Sequence, residues 1–285
     1  MMMTYWFMFP VAIVISTIAM ASGIGGATFF SPFFMLVLGL SPEVAIGTGL
    51  ITEVFGFASG LAAYIKKGLI DFKVGLSLVI ITVPMAILGS IGAGMVAPEI
   101  LKVILGVGLF AVATSFLKTP DKNEVNHFDF RIEEEYGGTK AETCLTTSAN
   151  EKICYTVCNK SEGRIISGIG GLFVGLISTG LGELNEFFLL KRCRVPSRVS
   201  VATSVFIVAI TALSASIGHL SRFIQSGEDE LQTILNIVVF TVPGVMIGAQ
   251  FGSGIASKIP EKILLRGLAV LFFFIALVTL LEVAL

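Results

Sequence analysis

Ser22-Gly23-Ile24-Gly25-Gly26-Ala27-Thr28-Phe29-Phe30-Ser31-Pro32 is a glycine turn set inside an otherwise apolar stretch, with a short helical run behind it. Its echo, Ser178-Thr179-Gly180-Leu181-Gly182-Glu183-Leu184-Asn185-Glu186-Phe187, lies about 157 positions on. Gly23 then falls on Gly180, Gly25 on Gly182 and Phe30 on Phe187. The remainder reads as two copies of a unit built around this break.

Composition sets the class. The 285 residues are 54% hydrophobic and 14% charged, with a mean hydropathy of +0.91. No soluble domain has this balance. Apolar runs of about 17–25 residues recur, the length that crosses a hydrocarbon core of roughly 30 Å. The fold class is therefore an all-α, polytopic membrane protein. The strict alternation of an outer-membrane barrel is missing from these runs. A net charge of −1 gives no electrostatic footprint for nucleic acid. The opening Met1-Met2-Met3-Thr4-Tyr5-Trp6-Phe7 lacks the basic region of a cleavable signal, so Tyr5 and Trp6 read as interfacial anchors of a first, retained helix.

Ten segments are predicted. In the first half they run over about Tyr5–Ala21, Ala27–Leu40, Glu43–Tyr64, Phe72–Val96 (kinked near Pro84) and Glu99–Leu117. In the second they run over about Ile165–Thr179, Glu183–Leu190, Arg198–Leu220, Glu230–Ser257 (with Pro243 inside) and Glu261–Leu285. Segment 2 covers only about 20 Å, too short to span unaided. The halves also share Gly47-Thr48-Gly49-Leu50 with Ala202-Thr203-Ser204-Val205, and Thr82-Val83-Pro84 and Gly89 with Thr241-Val242-Pro243 and Gly248. Pro98-Glu99 likewise matches Pro260-Glu261. This order of glycines and prolines divides the chain into a first repeat (1–117), a polar loop (118–164) and a second repeat (165–285). Five segments is an odd number, so the repeats are expected to be inverted in the membrane.

Basic residues orient the whole. Alternating through the segments puts Lys66, Lys67, Lys73, Lys191, Arg192, Arg194, Arg198, Lys258, Lys262 and Arg266 on one side, against Lys102 and Arg222 on the other. By the positive-inside rule the richer side is the cytoplasm. Both termini then lie outside, and the loop lies inside the cell. Whether segments 1 and 2 cross or form a re-entrant hairpin does not alter this. Within the loop, Asn126–Ile132 alternates like a strand and Lys152–Cys158 is a candidate partner, giving a small β-rich appendage.

Irregular backbone at membrane depth is tolerated only in packed protein or beside a wet cavity. A helix beginning after Gly25-Gly26 offers N–H groups and a positive dipole end, and the inverted copy at Gly180-Gly182 supplies a second. Gly23, Gly25, Gly26, Gly180 and Gly182 thus make a candidate anion site that needs no cationic side chain; close helix packing is the alternative reading. Thr48, Thr203 and Ser204 offer hydroxyls to an oxyanion, or bond their own i−4 carbonyls. Glu53 is the one charge near the middle of a long span, where a carboxylate costs about 2.5–3.5 kcal/mol. It is a candidate coupling residue, taking up a proton when an anion binds. Glu183, Asn185 and Glu186 stand where the first copy has Gly26, Thr28 and Phe29; they form a gate or cation site, or mark a water-exposed segment end.

The four cysteines are Cys144, Cys154 and Cys158 in the loop and Cys193 near the second break. A cytoplasmic, reducing setting argues against structural disulfides. With His127 the loop cysteines match no standard zinc spacing. No P-loop, Ser/His/Asp grouping or intramembrane His pair is present, so no cofactor and no enzyme activity are expected.

Gly23-Ile24-Gly25-Gly26 with Pro32, then Pro42, Gly47-Thr48-Gly49-Leu50, Gly68 and Asp71, resemble the sulfite exporter TauE/SafE family across both halves. The resemblance implies movement of sulfur-containing anions, sulfite or organosulfonates, across the bacterial inner membrane. Glu183 departs from the pattern where a third glycine would stand, and the cysteine-bearing loop lies outside it. The expectation is a proton-coupled secondary transporter. A passive anion channel and a cysteine-based sulfur-relay protein are the alternatives. A small anion and the lipid bilayer are the partners, and a homodimer is compatible with this build.

Overall fold

The computed structural model describes residues 5–22, 25–117, 143–157, 159–193, 195–226, 228–255 and 261–284. These form ten α-helices and one β-hairpin. The first half holds α1 (Met8–Ser22), α2 (Ala27–Leu38), α3 (Pro42–Lys67), α4 (Phe72–Ala93) and α5 (Pro98–Leu117). The hairpin strands are β1 (Thr143–Thr146) and β2 (Lys152–Tyr155). The second half holds α6 (Lys160–Ile177), α7 (Leu181–Glu186), α8 (Ser197–Ser226), α9 (Glu228–Ile255) and α10 (Glu261–Ala284). A π-helical turn, Phe187–Arg192, continues α7. Helices α3, α4, α8 and α9 are long and apolar enough to cross a bilayer. Their outer faces carry large exposed side chains such as Ile80, Leu88, Ile217 and Phe251, as lipid-facing surfaces do.

Local chemistry explains the ends. Pro42 opens α3, where its missing N–H costs nothing, and Gly68 closes it at φ 66°, a left-handed cap that glycine adopts freely. Asp71 caps α4 by accepting from the Val74 N–H at 3.0 Å. Helix α6 starts five residues before the predicted segment because Asn159 caps it, accepting from the Glu162 N–H. It stops at Ile177 because Ser178 turns to φ 60°. Helix α8 runs on past Leu220, and its Arg222 pairs with Glu43 at 2.7 Å.

The helices interleave across the halves. Helix α1 packs on α9 and α4 on α6; α3 meets both α8 and α9, α4 meets α8, and α5 pairs with α10. The contacts are made backbone to backbone. A Cβ on Gly89 would strike the Leu172 carbonyl, and one on Gly248 would strike the Ile13 carbonyl. Without a hydrophobic driving force between helices, such close approach supplies the van der Waals contact that holds them. The matched Thr82 and Thr241 hydrogen bond Thr211 on α8 (2.7 Å) and Thr52 on α3 (3.1 Å). Ion pairs sort to the ends: Arg222–Glu43 and Lys102–Glu282 at one, Arg192–Glu162 and Arg198–Glu151 at the other.

The loop holds one strand pairing that the sequence reading did not expect and one correction. The strand at Lys152–Tyr155 exists, but it pairs antiparallel with Thr143–Thr146. Asn126–Ile132, its expected partner, lies outside the described residues, as do His127 and Cys158. A tight turn sets the pairing: Thr147 N–H donates to the Glu151 carbonyl, and Asn150 takes φ 63°. This register puts Cys144 opposite Cys154, and the two are joined by a disulfide. Cys193 is disulfide-bonded as well. The expectation of unpaired thiols therefore fails, because the antiparallel register sets Cys144 and Cys154 at facing strand positions within bonding reach. Among the described residues no group of three or more His, Cys, Asp or Glu side chains could hold a metal.

If backbone contact holds the halves together, Gly248→Val forces α1 away from α9 and lowers stability by about 1–3 kcal/mol. Gly254→Ala, facing open space, stays within about 1 kcal/mol. Thermal unfolding of the detergent-purified variants, side by side, tests the contrast.

Candidate functional site

Helix α1 stops at Ser22, whose hydroxyl turns back to the Ile18 and Ala19 carbonyls. The Tyr64 hydroxyl of α3 donates to the Met20 carbonyl at 3.2 Å. The chain re-enters helix at Ala27 after Gly25 and Gly26; Gly23 is outside the described residues. The N–H groups of Thr28, Phe29 and Phe30 bond the carbonyls of Gly25 and Gly26, so a ligand at this helix end would meet the N–H groups before Thr28. Glu53, 4% exposed, reaches across from α3 to this turn. A Cβ on Gly25 would lie 2.7 Å from its Oε1, whereas one on Gly26 meets nothing nearer than 3.7 Å. A cavity of about 10 Å³, the room one water needs, lies beside Glu53 between Ser16, Gly26 and Gly56.

The second break follows the same plan. The Ser178 N–H bonds the Val174 carbonyl, Gly180 takes φ 107°, and Leu184 N–H returns to the Gly180 carbonyl. Only glycine holds a φ of that size without strain. Gly182 is the second residue of α7, and Glu183 the third.

The two breaks touch. Thr28 Oγ1 donates to Thr179 Oγ1 at 2.9 Å, and the Ser31 and Ser178 hydroxyls are 2.5 Å apart. All four side chains are buried. Glycine at Gly49 makes room for this, since a Cβ there would lie 2.6 Å from Ser31 Oγ.

The remaining candidates divide. Thr48 Oγ1 and Ser204 Oγ are buried and make no hydrogen bond, so neither back-bonds to its own helix. Asn185 is fully buried; its Oδ1 accepts from Ser167 Oγ at 2.8 Å while its Nδ2 has no partner. With Glu186 also buried, this stretch is not a water-exposed segment end. Thr203 is committed elsewhere: its Oγ1 accepts from the Asp71 N–H at 3.0 Å. Asp71 Oδ2 in turn accepts from the Tyr155 hydroxyl of the hairpin at 2.8 Å. Burial and that hydrogen bond push the Tyr155 phenol above its usual range.

Sequence reasoning missed Thr28, Ser31, Ser178 and Thr179 as a contact between the breaks. Their signal is a pair of hydroxyl residues immediately before one glycine turn and another just after the other. It also missed Ser200, whose buried Oγ is unpartnered on α8, and His219, whose Nε2 donates to the Gly175 carbonyl near the end of α6.

Two broken helices meeting among long apolar ones, with buried hydroxyls at the junction and the buried carboxyl groups of Glu53 and Glu186 at the breaks, define a multi-pass membrane protein with an internal polar site. The chain belongs to the sulfite exporter TauE/SafE family, which matches residues 8–279 and comprises membrane transporters rather than enzymes. It is similar to the probable membrane transporter protein YunE of Bacillus subtilis (strain 168), 25% identical over 267 residues and 91% of each chain. It is similar also to the probable membrane transporter protein YjnA of the same organism, 27% identical over 241 residues, 80% of this chain and 82% of that one. The probable membrane transporter protein ORF9 of Sinorhizobium sp is 30% identical over 120 residues, 42% of this chain and 45% of that one. No solved structure matches.

Tyr155→Phe removes a hydrogen bond to a buried carboxyl group and is expected to cost about 1.5–3 kcal/mol. Because the phenol is raised on folding, its contribution is complete below about pH 10 and declines as pH climbs toward the folded value. The stability gap between wild type and variant should narrow above that pH, read from denaturation at pH 8 to 11.

Proposed function

We propose that this protein is a secondary transporter carrying a sulfur-containing anion, sulfite or an organosulfonate, with a proton as coupling ion. The carrying observation is the junction where the two helix breaks meet, with Glu53 against Gly25 at one of them. Thr48, Ser204, Asn185 and Ser200 supply buried hydroxyl and amide groups that lack protein partners. Such groups are rare in folded proteins and suit a ligand rich in oxygen atoms. Gly25, Gly26, Gly180 and Gly182 bring backbone to the substrate; Thr203, held by Asp71, frames the site from the hairpin end.

Glu53 is placed for coupling. Its carboxylate stands at the α2 start, where an incoming anion would also be drawn by the helix dipole. Two negative charges there repel, so protonation of Glu53 admits the anion and departure of the anion releases the proton. In this reading Glu183 and Asn185, on the short α7, gate the second break.

The architecture behind this reading is a pair of inverted repeats. Support comes from the reciprocal helix pairing and from matched contacts such as Gly89 and Gly248, each on the first helix of the other half. The basic asymmetry assigns the hairpin end to the cytoplasm and both termini to the outside, in an inner membrane.

Proteoliposome flux with sulfite, sulfate, methanesulfonate and taurine tests the substrate class; transport of none of these anions would overturn it. Glu53→Gln, which imitates the protonated acid, should still exchange substrate across equal pH yet lose pH-gradient-driven accumulation. Accumulation equal to wild type from pH 5 to 8 would remove Glu53 from the coupling role. Gly25→Ala should weaken sulfite binding at least about tenfold, or 1.4 kcal/mol, by placing a methyl group where the substrate would approach the backbone of the turn. Gly254→Ala, at a position with open space around it, should bind as wild type.

A further inference from the structure

The loop hairpin is seated on the transmembrane body rather than hanging from it. Ser148 N–H donates to the Lys67 carbonyl at 3.1 Å, at the end of α3. Tyr155 grips Asp71 at the start of α4, and Glu151 pairs with Arg198 in the first turn of α8. Asp71 N–H holds Thr203, farther along α8. One small element thus ties the α3–α4 turn of the first half to α8 of the second. Its own integrity rests on four residue pairs and the Cys144–Cys154 bond, and a two-stranded hairpin is marginal in water without such support.

Cys144 and Cys154 are exposed, whereas Cys193 is buried. Disulfides are opened by a nucleophile attacking one sulfur in line with the other, and exposed ones are the labile ones. Resting on the sulfur-anion reading above, we propose that the Cys144–Cys154 disulfide is a sulfite-reactive switch whose scission loosens the hairpin's hold on the α3–α4 turn. The lone pair on the sulfite sulfur forms a new S–S bond to one cysteine, giving an S-sulfonate. The old S–S bond breaks, and its electron pair leaves on the other cysteine as a thiolate, which takes a proton from water as its own acidity dictates. The sulfite sulfur is oxidised and the departing cysteine reduced by the same two electrons, so no outside oxidant or reductant enters. Sulfate and organosulfonates have no sulfur lone pair and cannot react. The switch therefore separates sulfite from the other anions that the transporter reading allows. Cleavage places a negatively charged sulfonate opposite a released thiol on facing strand positions, next to the Tyr155 that holds Asp71.

The test uses the full-length protein in detergent, exposed to millimolar sulfite, sulfate or methanesulfonate and mapped by non-reducing peptide mass spectrometry. Sulfite alone should leave one sulfonate on Cys144 or Cys154 and a free thiol on the other, with Cys193 unmodified. Hydrogen exchange across Lys67–Val74 should then rise severalfold, and an equal rise should be present without sulfite in the Cys144→Ser/Cys154→Ser variant. Absence of the disulfide, absence of the adduct, or an adduct with unchanged exchange would each overturn the proposal. None of these readouts depends on transport. Adduct formation without proteoliposome flux would sink the transporter reading alone, and flux without adduct would sink the switch alone.

Discussion

A helix that stops in a buried interior leaves carbonyls and N–H groups with no water to bond, and much in this molecule follows from how two such stops are accommodated. Here they are brought face to face. Thr28 with Thr179 and Ser31 with Ser178 join the breaks directly, and Tyr64 and His219 on the two long central helices bond carbonyls of the helices that end there. Each such bond contributes on average about 0.6 kcal/mol in a membrane protein. Their number matters less than their position, which keeps the polar backbone in one place and leaves the outer faces apolar.

The glycines serve two ends that composition cannot separate. Gly89, Gly171, Gly175 and Gly248 stand where another helix's backbone passes, and a methyl group would part the pair. Gly25 and Gly180 belong to the breaks, one facing a carboxylate and the other at a φ that side-chain-bearing residues avoid. Packing and site chemistry therefore both explain the glycine content, at different positions.

Much of the scaffold was legible because apolar runs and Gly or Pro punctuation are local signals. All ten helices overlap the predicted segments, and Gly25 and Gly180 mark the breaks, while Gly182 falls inside α7. What was not legible is tertiary. Glu53 reads as a neighbour of Thr48 along its own helix, but the approach of the first break to α3 brings it against Gly25. Thr203 matches Thr48 in sequence yet is occupied by Asp71, a contact from another helix. The strand partner Thr143–Thr146 is short and polar, and no periodicity argument picks it out. Asn185 looks like a terminal polar residue and is fully buried, because Ser167 on α6 accommodates it.

The interleaving of helices bears on how the protein is made. Ser16 on α1 bonds the Val245 carbonyl on α9, a partner 229 positions later in the chain. Helix α4 likewise waits for α6, and α5 for α10. When the first five helices have left the ribosome, none of these faces has met its final neighbour. By this order of synthesis the first half can complete its packing only after the second half arrives. The hairpin, synthesised between the two, is the earliest element able to clasp the α3–α4 turn. It is in place to receive α8 as that helix is threaded in.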